Sequence, residues 1–518
     1  MNYLDLFRAT LPETMLEIAA LVVLVVDLGL MRKAATEVRR TVAVLLGVLG
    51  CGAALWTLAT QAQGALKVGG DVLLASGGST GVAQVGILAL TELTLFLLID
   101  AEFTQHVGEF VAVLLMSAAG GLLISAAQDL LVIFIGLELL SLGLYILTAF
   151  AKKSARSAEA AMKYYLFGGM SAAFLLFGFS YLYGLSGSTN LPKVVLGTYF
   201  ASAHGGLPLL IIALVMVAAG LGFKVAAAPF HLWAPDTYEG APAPGAAFVA
   251  SVSKVASFAL LITISTVALH FMESFHIGGG HVTVRVYAAF NPQPHVAAGI
   301  PFLWNLVLIV LAVLSMIIGN LTALAQVSVR RLLAYSAVAH AGYILLGLAY
   351  FSWSPRSAQA VLYYVLTYGL TTLGAFGAVA AVERATGSDR MDAFLGLSKR
   401  NGMLAAVMLV LFLSLAGIPP LVGFWAKFNL FAAVLAVGNT SALTVSLVAL
   451  AIAMSAVSLY YYLQVLKRAY VMPGVEETCL VVPAMTMAVL VVIALAVLLL
   501  GIFPDAMQSW IAGFYPGM

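Results

Sequence analysis

Long apolar runs, separated by short polar breaks, fill this chain and constrain its fold more than any other feature. A membrane-crossing helix needs about 20 mostly apolar residues, because every backbone polar group inside the bilayer must be bonded within the segment. Fourteen runs meet this requirement and define predicted spans 1–14, at residues 11–31, 41–60, 84–101, 107–126, 127–150, 160–184, 207–234, 242–272, 300–319, 330–352, 357–385, 402–436, 441–467 and 480–503. The sequence therefore predicts an all-α polytopic membrane protein with about 14 transmembrane helices.

The composition excludes several classes of protein. Of the 518 residues, 63% are hydrophobic and 9% are charged, whereas soluble proteins carry about 25% charged residues. The net charge of +2 comes without a basic block, so nucleic acid is not an expected partner. Two cysteines cannot form a disulfide framework. Because the loops are too short for a soluble catalytic domain, we expect any redox chemistry to take place in another chain.

The basic residues predict the orientation, because lysine and arginine accumulate on the cytoplasmic side of a membrane. With the N-terminus placed outside, sixteen of the 24 lie at cytoplasmic ends of spans: Arg32, Lys33, Arg39, Arg40, Lys152, Lys153, Arg156, Lys163, Arg330, Arg331, Arg384, Arg390, Lys399, Arg400, Lys467 and Arg468. Five lie outside: Arg8, Lys67, Lys193, Arg285 and Arg356. This asymmetry favours fourteen spans with both termini outside the cytoplasm.

Three lysines remain, and with one glutamate they lie inside predicted spans. Glu138 is in span 5, and spans 7, 8 and 12 contain Lys224, Lys254 and Lys427. A charged group at mid-bilayer costs at least about 2.5–3.5 kcal/mol, so such residues are functional candidates. We predict that Glu138 pairs with Lys224, since such a pair can pass between ionised and neutral states, as a proton relay requires. The alternative is a static salt bridge that fixes helix packing.

Two histidines are further candidates. His340 lies within span 10 and could bridge two lysines by proton exchange; alternatively it is a packing residue. His231, beside the predicted break in span 7, is a weaker candidate, either a cytoplasmic gate or an interfacial residue.

Prolines predict that spans 7 and 12 are discontinuous. Pro229 and the pair Pro419–Pro420 remove helix hydrogen bonds within these spans. Broken helices at corresponding positions of two halves are typical of transporters built from inverted repeats. We therefore predict two inverted five-helix units, helices 4–8 and 9–13, although prolines can also merely kink a helix. The predicted divisions are 1–106 (helices 1–3), 107–272 and 300–467 (the two units) and 468–518 (helix 14).

Five motifs give the chain a specific resemblance: Asp129–Phe150 (DLLVIFIGLELLSLGLYILTAF), Ser157–Tyr165 (SAEAAMKYY), Phe223–Pro242 (FKVAAAPFHLWAPDTYEGAP), Arg330–Tyr343 (RRLLAYSAVAHAGY) and Leu415–Lys427 (LAGIPPLVGFWAK). With them the chain resembles the antiporter-like membrane subunits of respiratory complex I, NADH-quinone oxidoreductase, and among these the subunit N family. The resemblance implies that Glu138 and the lysines of spans 7, 8 and 12 are proton carriers. Members of the family often have Lys-Arg where this chain has Arg330–Arg331. Because arginine effectively never deprotonates, we expect Arg330 to anchor span 10 at the cytoplasmic surface.

The resemblance also implies a setting for the chain. It implies a proton-translocating subunit of a bacterial inner-membrane complex, driven by quinone reduction elsewhere and packed among other membrane and peripheral subunits. NADH, FMN, iron–sulfur clusters and quinone are then expected in those partners and none in this chain. Two alternatives remain: a subunit of a related cation/proton antiporter or membrane-bound hydrogenase, and a scaffold that carries no protons.

Overall fold

A computed structural model describes residues 3–60, 65–68, 71–270, 275–277, 280–282, 300–351, 355–437, 441–474 and 479–514. In this part of the chain, twelve helices are long and apolar enough to cross a membrane. Two further predicted spans are composite: one joins Leu11–Val25 to the π-helical turn Val26–Leu30, and the other joins Gly402–Ala416 to Val422–Val437. The prediction of an all-α polytopic membrane protein is therefore confirmed.

The α-helices are numbered in chain order as α1 Tyr3–Ala9, α2 Leu11–Val25, α3 Thr36–Thr60, α4 Gly78–Leu98, α5 Val107–Ala126, α6 Leu130–Thr148, α7 Ala155–Ser186, α8 Leu191–Ala201, α9 Leu207–Lys224, α10 Trp233–Gly240, α11 Ala243–Ala250, α12 Val252–His270, α13 Ile300–Leu324, α14 Val329–Ala349, α15 Pro355–Thr386, α16 Leu397–Arg400, α17 Gly402–Ala416, α18 Val422–Val437, α19 Ala442–Tyr470, α20 Ala484–Ile502 and α21 Pro504–Gly513. A π-helical turn, Ser202–Gly206, joins α8 to α9, and a 3-10 turn, Met391–Phe394, precedes α16.

Two short hairpins accompany the helices. Strands β1 Ala65–Val68 and β2 Asp71–Ala75 pair antiparallel, as do β3 Phe275–Ile277 and β4 Gly280–Val282.

The third predicted span begins earlier than expected, at Gly78 instead of residue 84, and α4 continues without a break past Glu92. Most of the predicted linker between the two units, and with it Arg285, lies outside the described residues.

The core lies where α11–α12, α14 and α15 meet. The segments differ in how much of their most apolar 18-residue stretch is buried. In that stretch 94% of the residues are buried in α11–α12, 94% in α14 and 89% in α15, whereas 33% are buried in α3 and in α20. Helices buried on all sides need not be amphipathic. Lys254 of span 8 and His340 of span 10 are therefore enclosed by protein and do not face lipid.

One local arrangement occurs twice, once in each predicted five-helix unit. Asp129 caps the start of α6 and pairs with Asn190, which follows α7, in an isolated antiparallel bridge. Ser328 caps the start of α14 and pairs with Arg390, which follows α15, in the same way. In each unit this bridge holds together the start of the second helix and the end of the third.

The two 32-residue helices, α7 and α15, also end alike. Gly187 follows α7 with a φ of 70°, and Gly387 follows α15 with a φ of 73°. Each donates its backbone N–H over 2.7 Å to a carbonyl four residues earlier. Glycine adopts this left-handed conformation without the steric cost of a β-carbon, which makes it a suitable end for a helix.

These two copies lie on opposite faces of the helix bundle. Arg156, in the first turn of α7, and Arg331, at the start of α14, both pair with Glu239, so α14 begins on the face where α6 ends and α7 begins. Lys193 pairs with Asp71 on the other face. An arrangement repeated at opposite faces is what an inverted repeat produces, and it supports that part of the prediction.

Candidate functional site

Glu138 and Lys224 approach each other between α6 and the end of α9. The Lys224 Nζ atom lies 3.9 Å from Oε1 of Glu138, at the outer limit of an ion pair. Its closest partner is Ser141, one turn after Glu138, whose Oγ accepts a hydrogen bond from Nζ at 2.5 Å. The side chain of Lys224 is 6% exposed and that of Glu138 is 27% exposed. The carboxylate therefore lies at the more open side of the pair.

The helix is interrupted immediately after Lys224, as the position of Pro229 predicts. Helix α9 ends at Lys224, α10 begins at Trp233, and Ala226 between them has a φ of 56°. A helix end leaves backbone carbonyls without partners inside the helix. Lys254 uses one of them, because its Nζ donates to the carbonyl of Val225 at 3.2 Å.

Lys254 lies in the first turn of α12 and is buried on every side. Its Nζ donates to the carbonyl of Ala337 in α14 at 2.8 Å and lies 5.9 Å from the centre of the Tyr368 ring in α15. The lysine is 2% exposed. No carboxylate pairs with it among the described residues, so backbone carbonyls and an aromatic face surround this ammonium.

Span 12 is broken as Pro419–Pro420 predicted, and Lys427 fills the break. Helix α17 ends at Ala416 and α18 begins at Val422. The Lys427 Nζ atom donates to the carbonyls of Leu415 and Ala416 at 3.1 and 3.0 Å and to Ser455 Oγ at 2.8 Å. A cation at the C-terminal end of a helix also meets the negative end of the helix dipole.

His340 lies between Lys254 and Lys427. Its Nδ1 is 2.9 Å from the hydroxyl of Tyr364, and its Nε2 is 3.4 Å from the hydroxyl of Tyr462. Its ring centre is 4.8 Å from that of Tyr368 and 5.7 Å from that of Tyr343. Each of these two tyrosines also faces a lysine, because Tyr368 lies beneath Lys254 and Tyr343 lies 5.5 Å from Lys427 Nζ.

The predicted site residues thus form one continuous set of contacts. We call this set the charged row: Glu138, Lys224, Lys254, His340 and Lys427. Glu138 approaches Lys224, Lys254 binds the carbonyl that follows Lys224, and two tyrosine rings connect Lys254 to His340 and His340 to Lys427.

Sequence reasoning missed the hydroxyl groups that accompany the charged row. Besides the tyrosines around His340, Asn320 of α13 donates to the Tyr343 hydroxyl at 3.1 Å and accepts from Tyr461 at 3.2 Å. Tyrosines clustered inside apolar spans, as in YYVLTY at 363–368, were the available signal. Polar side chains buried in a core need partners, so such clusters indicate a network.

His231 is buried next to the break after α9, and its ring centre lies 6.1 Å from that of Tyr335. Its Nδ1 has no hydrogen-bond partner among the described residues. The structure places His231 outside the charged row, whose contacts pass through Val225 and Lys254.

Arginines and carboxylates form a cluster on the face that the sequence predicts to be cytoplasmic. Arg330 donates to the carbonyl of Ala241 at 2.7 Å and lies 3.3 Å from Glu383, so it ties α14 to the turn between α10 and α11 and to α15. Asp236 accepts from Lys163 at 2.8 Å and from Arg331 at 2.7 Å. Burial by itself raises the pKa of Asp236, but these two hydrogen bonds outweigh it and hold the pKa below its ordinary value.

Within the described residues, no three histidine, cysteine, aspartate or glutamate side chains are grouped so as to hold a metal ion. Cys51 is buried in α3 and Cys479 is exposed before α20. The side chains that meet at this site carry lysine, histidine, carboxylate and hydroxyl groups.

Comparisons with known proteins agree over nearly the whole chain. Residues 127–284 and 281–453 match the family described as NADH:quinone oxidoreductase/Mrp antiporter, TM. NADH-quinone oxidoreductase subunit N 2 of Acidobacterium capsulatum is 47% identical, covering 98% of this chain and 99% of its own. Subunit N of Desulfovibrio desulfuricans is 36% identical, covering 98% of this chain and 96% of its own.

Solved structures share the fold. A chain of respiratory complex I from Thermus thermophilus with bound aureothin matches with a TM-score of 0.74 and 31% identity, covering 96% of this chain and 98% of its own. A chain of the Mrp complex from Dietzia sp. DQ12-45-1b matches with a TM-score of 0.75 over 98% of both chains, but at 19% identity it shows the fold alone.

Proposed function

Because this chain belongs to the subunit N family of NADH-quinone oxidoreductase, we propose that it carries protons across the membrane through the charged row. Quinone reduction in other subunits of a complex I drives the transport, and NADH, FMN and the iron–sulfur clusters reside in those subunits. The chain lies in a bacterial inner membrane among other antiporter-like subunits, with both termini outside the cytoplasm.

One observation carries the proposal: three buried lysines and a histidine are connected by direct contacts from Glu138 to Lys427. A lysine passes between its charged and neutral forms when burial disfavours the charge. His340 has a hydroxyl at each ring nitrogen, so it can take a proton at one nitrogen and release one at the other.

The row also explains how the protein tolerates charges in a membrane. Backbone carbonyls at the two helix breaks accept hydrogen bonds from Lys254 and Lys427, and Ser141 accepts one from Lys224. Hydrogen bonds that involve a charged group contribute about 1.5–3 kcal/mol each. At Lys254 and Lys427 these bonds stabilise the ammonium although no carboxylate pairs with it among the described residues, so no negative partner keeps the proton in place.

The test is Lys254→Met in the intact complex, assayed in inverted membrane vesicles. We expect NADH-driven proton pumping to fall roughly tenfold or more with normal subunit content, because a positioned proton-transfer group contributes about 10²–10⁴-fold. Lys153→Met, which removes an exposed lysine between α6 and α7, is the matched control and should pump normally.

The two alternative hypotheses, a scaffold and a subunit of another membrane complex, predict different results. A scaffold that carries no protons predicts normal pumping and normal assembly in Lys254→Met. A subunit of a cation/proton antiporter or of a membrane-bound hydrogenase predicts co-purification without flavin and iron–sulfur subunits of an NADH dehydrogenase. The near-complete coverage of subunit N relatives favours the complex I setting over the antiporter and hydrogenase settings.

A further inference from the structure

A charged cavity opens on the face that the sequence predicts to be cytoplasmic. Its volume is about 460 Å³, and it lies between α4, α11, α15 and the start of α20. Asp100, Arg330, Glu383 and Arg384 line it. No member of the charged row lines this cavity, but two of the helices that line it also carry residues in contact with Lys254.

Helix α11 and the start of α12 form the first wall of this approach. Ala247 lines the cavity, Ser251 follows one turn later, and Lys254 follows at the next turn on the same side. Seven residues separate Ala247 from Lys254, which corresponds to roughly 10 Å along the helix axis. Ala247 and Ser251, the residues of this wall at that spacing, both have small side chains.

Helix α15 forms the second wall. Gly377 and Ala380 line the cavity, and the residues at helical spacing toward the centre are Phe376, Thr372 and Tyr368. Tyr368 faces Lys254 at 5.9 Å and His340 at 4.8 Å. One side of α15 therefore leads from the cavity to the middle of the charged row.

Three hydroxyls between the cavity and Lys254 lack a well-formed hydrogen bond among the described residues, although those of Tyr368 and Thr372, one turn apart on α15, lie close enough to interact with each other. They belong to Tyr368, Thr372 and Tyr238, and Tyr238 packs edge-on against Phe376 with ring centres 5.4 Å apart. All three side chains are more than nine-tenths buried. A buried hydroxyl left unbonded costs about 1–3 kcal/mol, and internal water is the usual partner of such groups.

We propose that this cavity is a cytoplasmic proton entry to Lys254, separate from the pair of Glu138 and Lys224. Protons reach the lysine through water bound by the hydroxyls of Thr372, Tyr368 and Tyr238. The charged row then receives protons at its centre as well as at its Glu138 end. This inference rests on the proposed function, and it adds the route by which the central lysine exchanges protons with solvent.

Thiol accessibility tests the route without any assay of transport. In a Cys479→Ser background of the intact complex, Ala380→Cys and Ala247→Cys are treated in inverted vesicles with a membrane-impermeant cationic methanethiosulfonate. We expect Ala380→Cys to react first, Ala247→Cys more slowly, and the control Ala118→Cys, fully buried in α5, not at all. Failure of Ala247→Cys to react faster than the control, in both inverted and right-side-out vesicles, overturns the entry.

A pair of adjacent threonines tests the hydroxyls. Thr372→Val removes a hydroxyl that faces Tyr368 and forms no well-formed hydrogen bond in the described part of the chain, whereas Thr371→Val removes one that already donates to the Thr367 carbonyl at 2.7 Å. We expect slower pumping in Thr372→Val and a normal rate in Thr371→Val. Equal rates in the two variants count against the route.

The two hypotheses fail in different ways. If Lys254→Met stops pumping while Ala247→Cys is unreactive and Thr372→Val pumps normally, the relay stands and protons enter elsewhere. If Lys254→Met pumps normally, the relay itself is wrong, whatever the accessibility of the cavity.

Discussion

Gly417 ends helix α17 directly against the side chain of Lys427. A β-carbon built on this glycine stands 2.9 Å from Cδ and 3.3 Å from Nζ of Lys427, and the glycine has a φ of 87°. The absence of a side chain at this position therefore lets the ammonium reach the carbonyls of Leu415 and Ala416.

This contact predicts the effect of Gly417→Ala. The left-handed conformation costs an alanine about 1–2 kcal/mol, and its methyl group displaces the lysine from the carbonyls. We expect NADH-driven pumping to fall more than the content of assembled complex. Gly402→Ala, at the other end of the same helix, is the control, since a β-carbon there meets nothing within 4 Å. Equal pumping in both variants would show that the placement of Lys427 is unimportant.

The hydroxyl of Ser141 is predicted to support Lys224. In Ser141→Ala the ammonium loses its 2.5 Å hydrogen bond, which destabilises its charged state by about 1.5–3 kcal/mol, or roughly ten- to a hundredfold. We expect slower pumping, measured by dye quenching in vesicles. The control is Ser117→Ala, because that buried hydroxyl donates to the Val113 carbonyl of its own helix. A control that pumps as poorly as Ser141→Ala would indicate a packing defect.

Substitutions of the adjacent residues Tyr363 and Tyr364 distinguish a role in the relay from a role in packing. Tyr364→Phe removes the hydroxyl at His340 Nδ1, whereas Tyr363→Phe removes one without a partner among the described residues. Because such a hydrogen bond contributes about 0.5–1.5 kcal/mol, we expect pumping to slow roughly two- to tenfold in Tyr364→Phe alone. The prediction is wrong if the two variants pump at the same rate.

The paired carboxylate of Asp236 predicts a dependence of stability on pH. Its folded-state pKa is lowered, so its stabilising effect is complete above the unfolded pKa of about 3.9 and is lost as the pH falls through the folded value. We expect Asp236→Asn to lower the unfolding temperature of the purified complex at neutral pH. The difference from wild type should shrink in acid.

Asp505→Asn serves as the control for loss of a carboxylate, since Asp505 is exposed and forms no ion pair in the described part of the chain. A difference between Asp236→Asn and wild type that stays constant into strong acid would contradict the assignment.

Several site residues could be predicted because charge in a lipid environment is conspicuous. Lys224, Lys254 and Lys427 stand out from the apolar spans that contain them, and the prolines beside two of them predict the broken helices. Ser141, Tyr364 and Tyr368 could not be selected in the same way. Hydroxyl-bearing residues are frequent in membrane helices, where many bond to their own backbone, as Thr371 does.

The repeated bridge at the ends of α7 and α15 also escaped detection. The segments Ser186–Asn190 (SGSTN) and Thr386–Arg390 (TGSDR) share only a glycine and a serine in register. Their common role is carried by backbone hydrogen bonds and by a positive φ at glycine, which different side chains can support.

The sequence by itself determined the membrane class, the number of spans and the positions of the helix breaks. These follow from local physics, since each helix satisfies its own backbone in lipid and each proline removes a specific bond. Only the tertiary structure decided which groups meet. Tyr368 lies between Lys254 and His340, although 114 positions in the sequence separate Tyr368 from Lys254. That contact depends on how buried helices pack together. The sequence of a helix that is apolar on every side has no amphipathic pattern, so it does not indicate which helices are its neighbours.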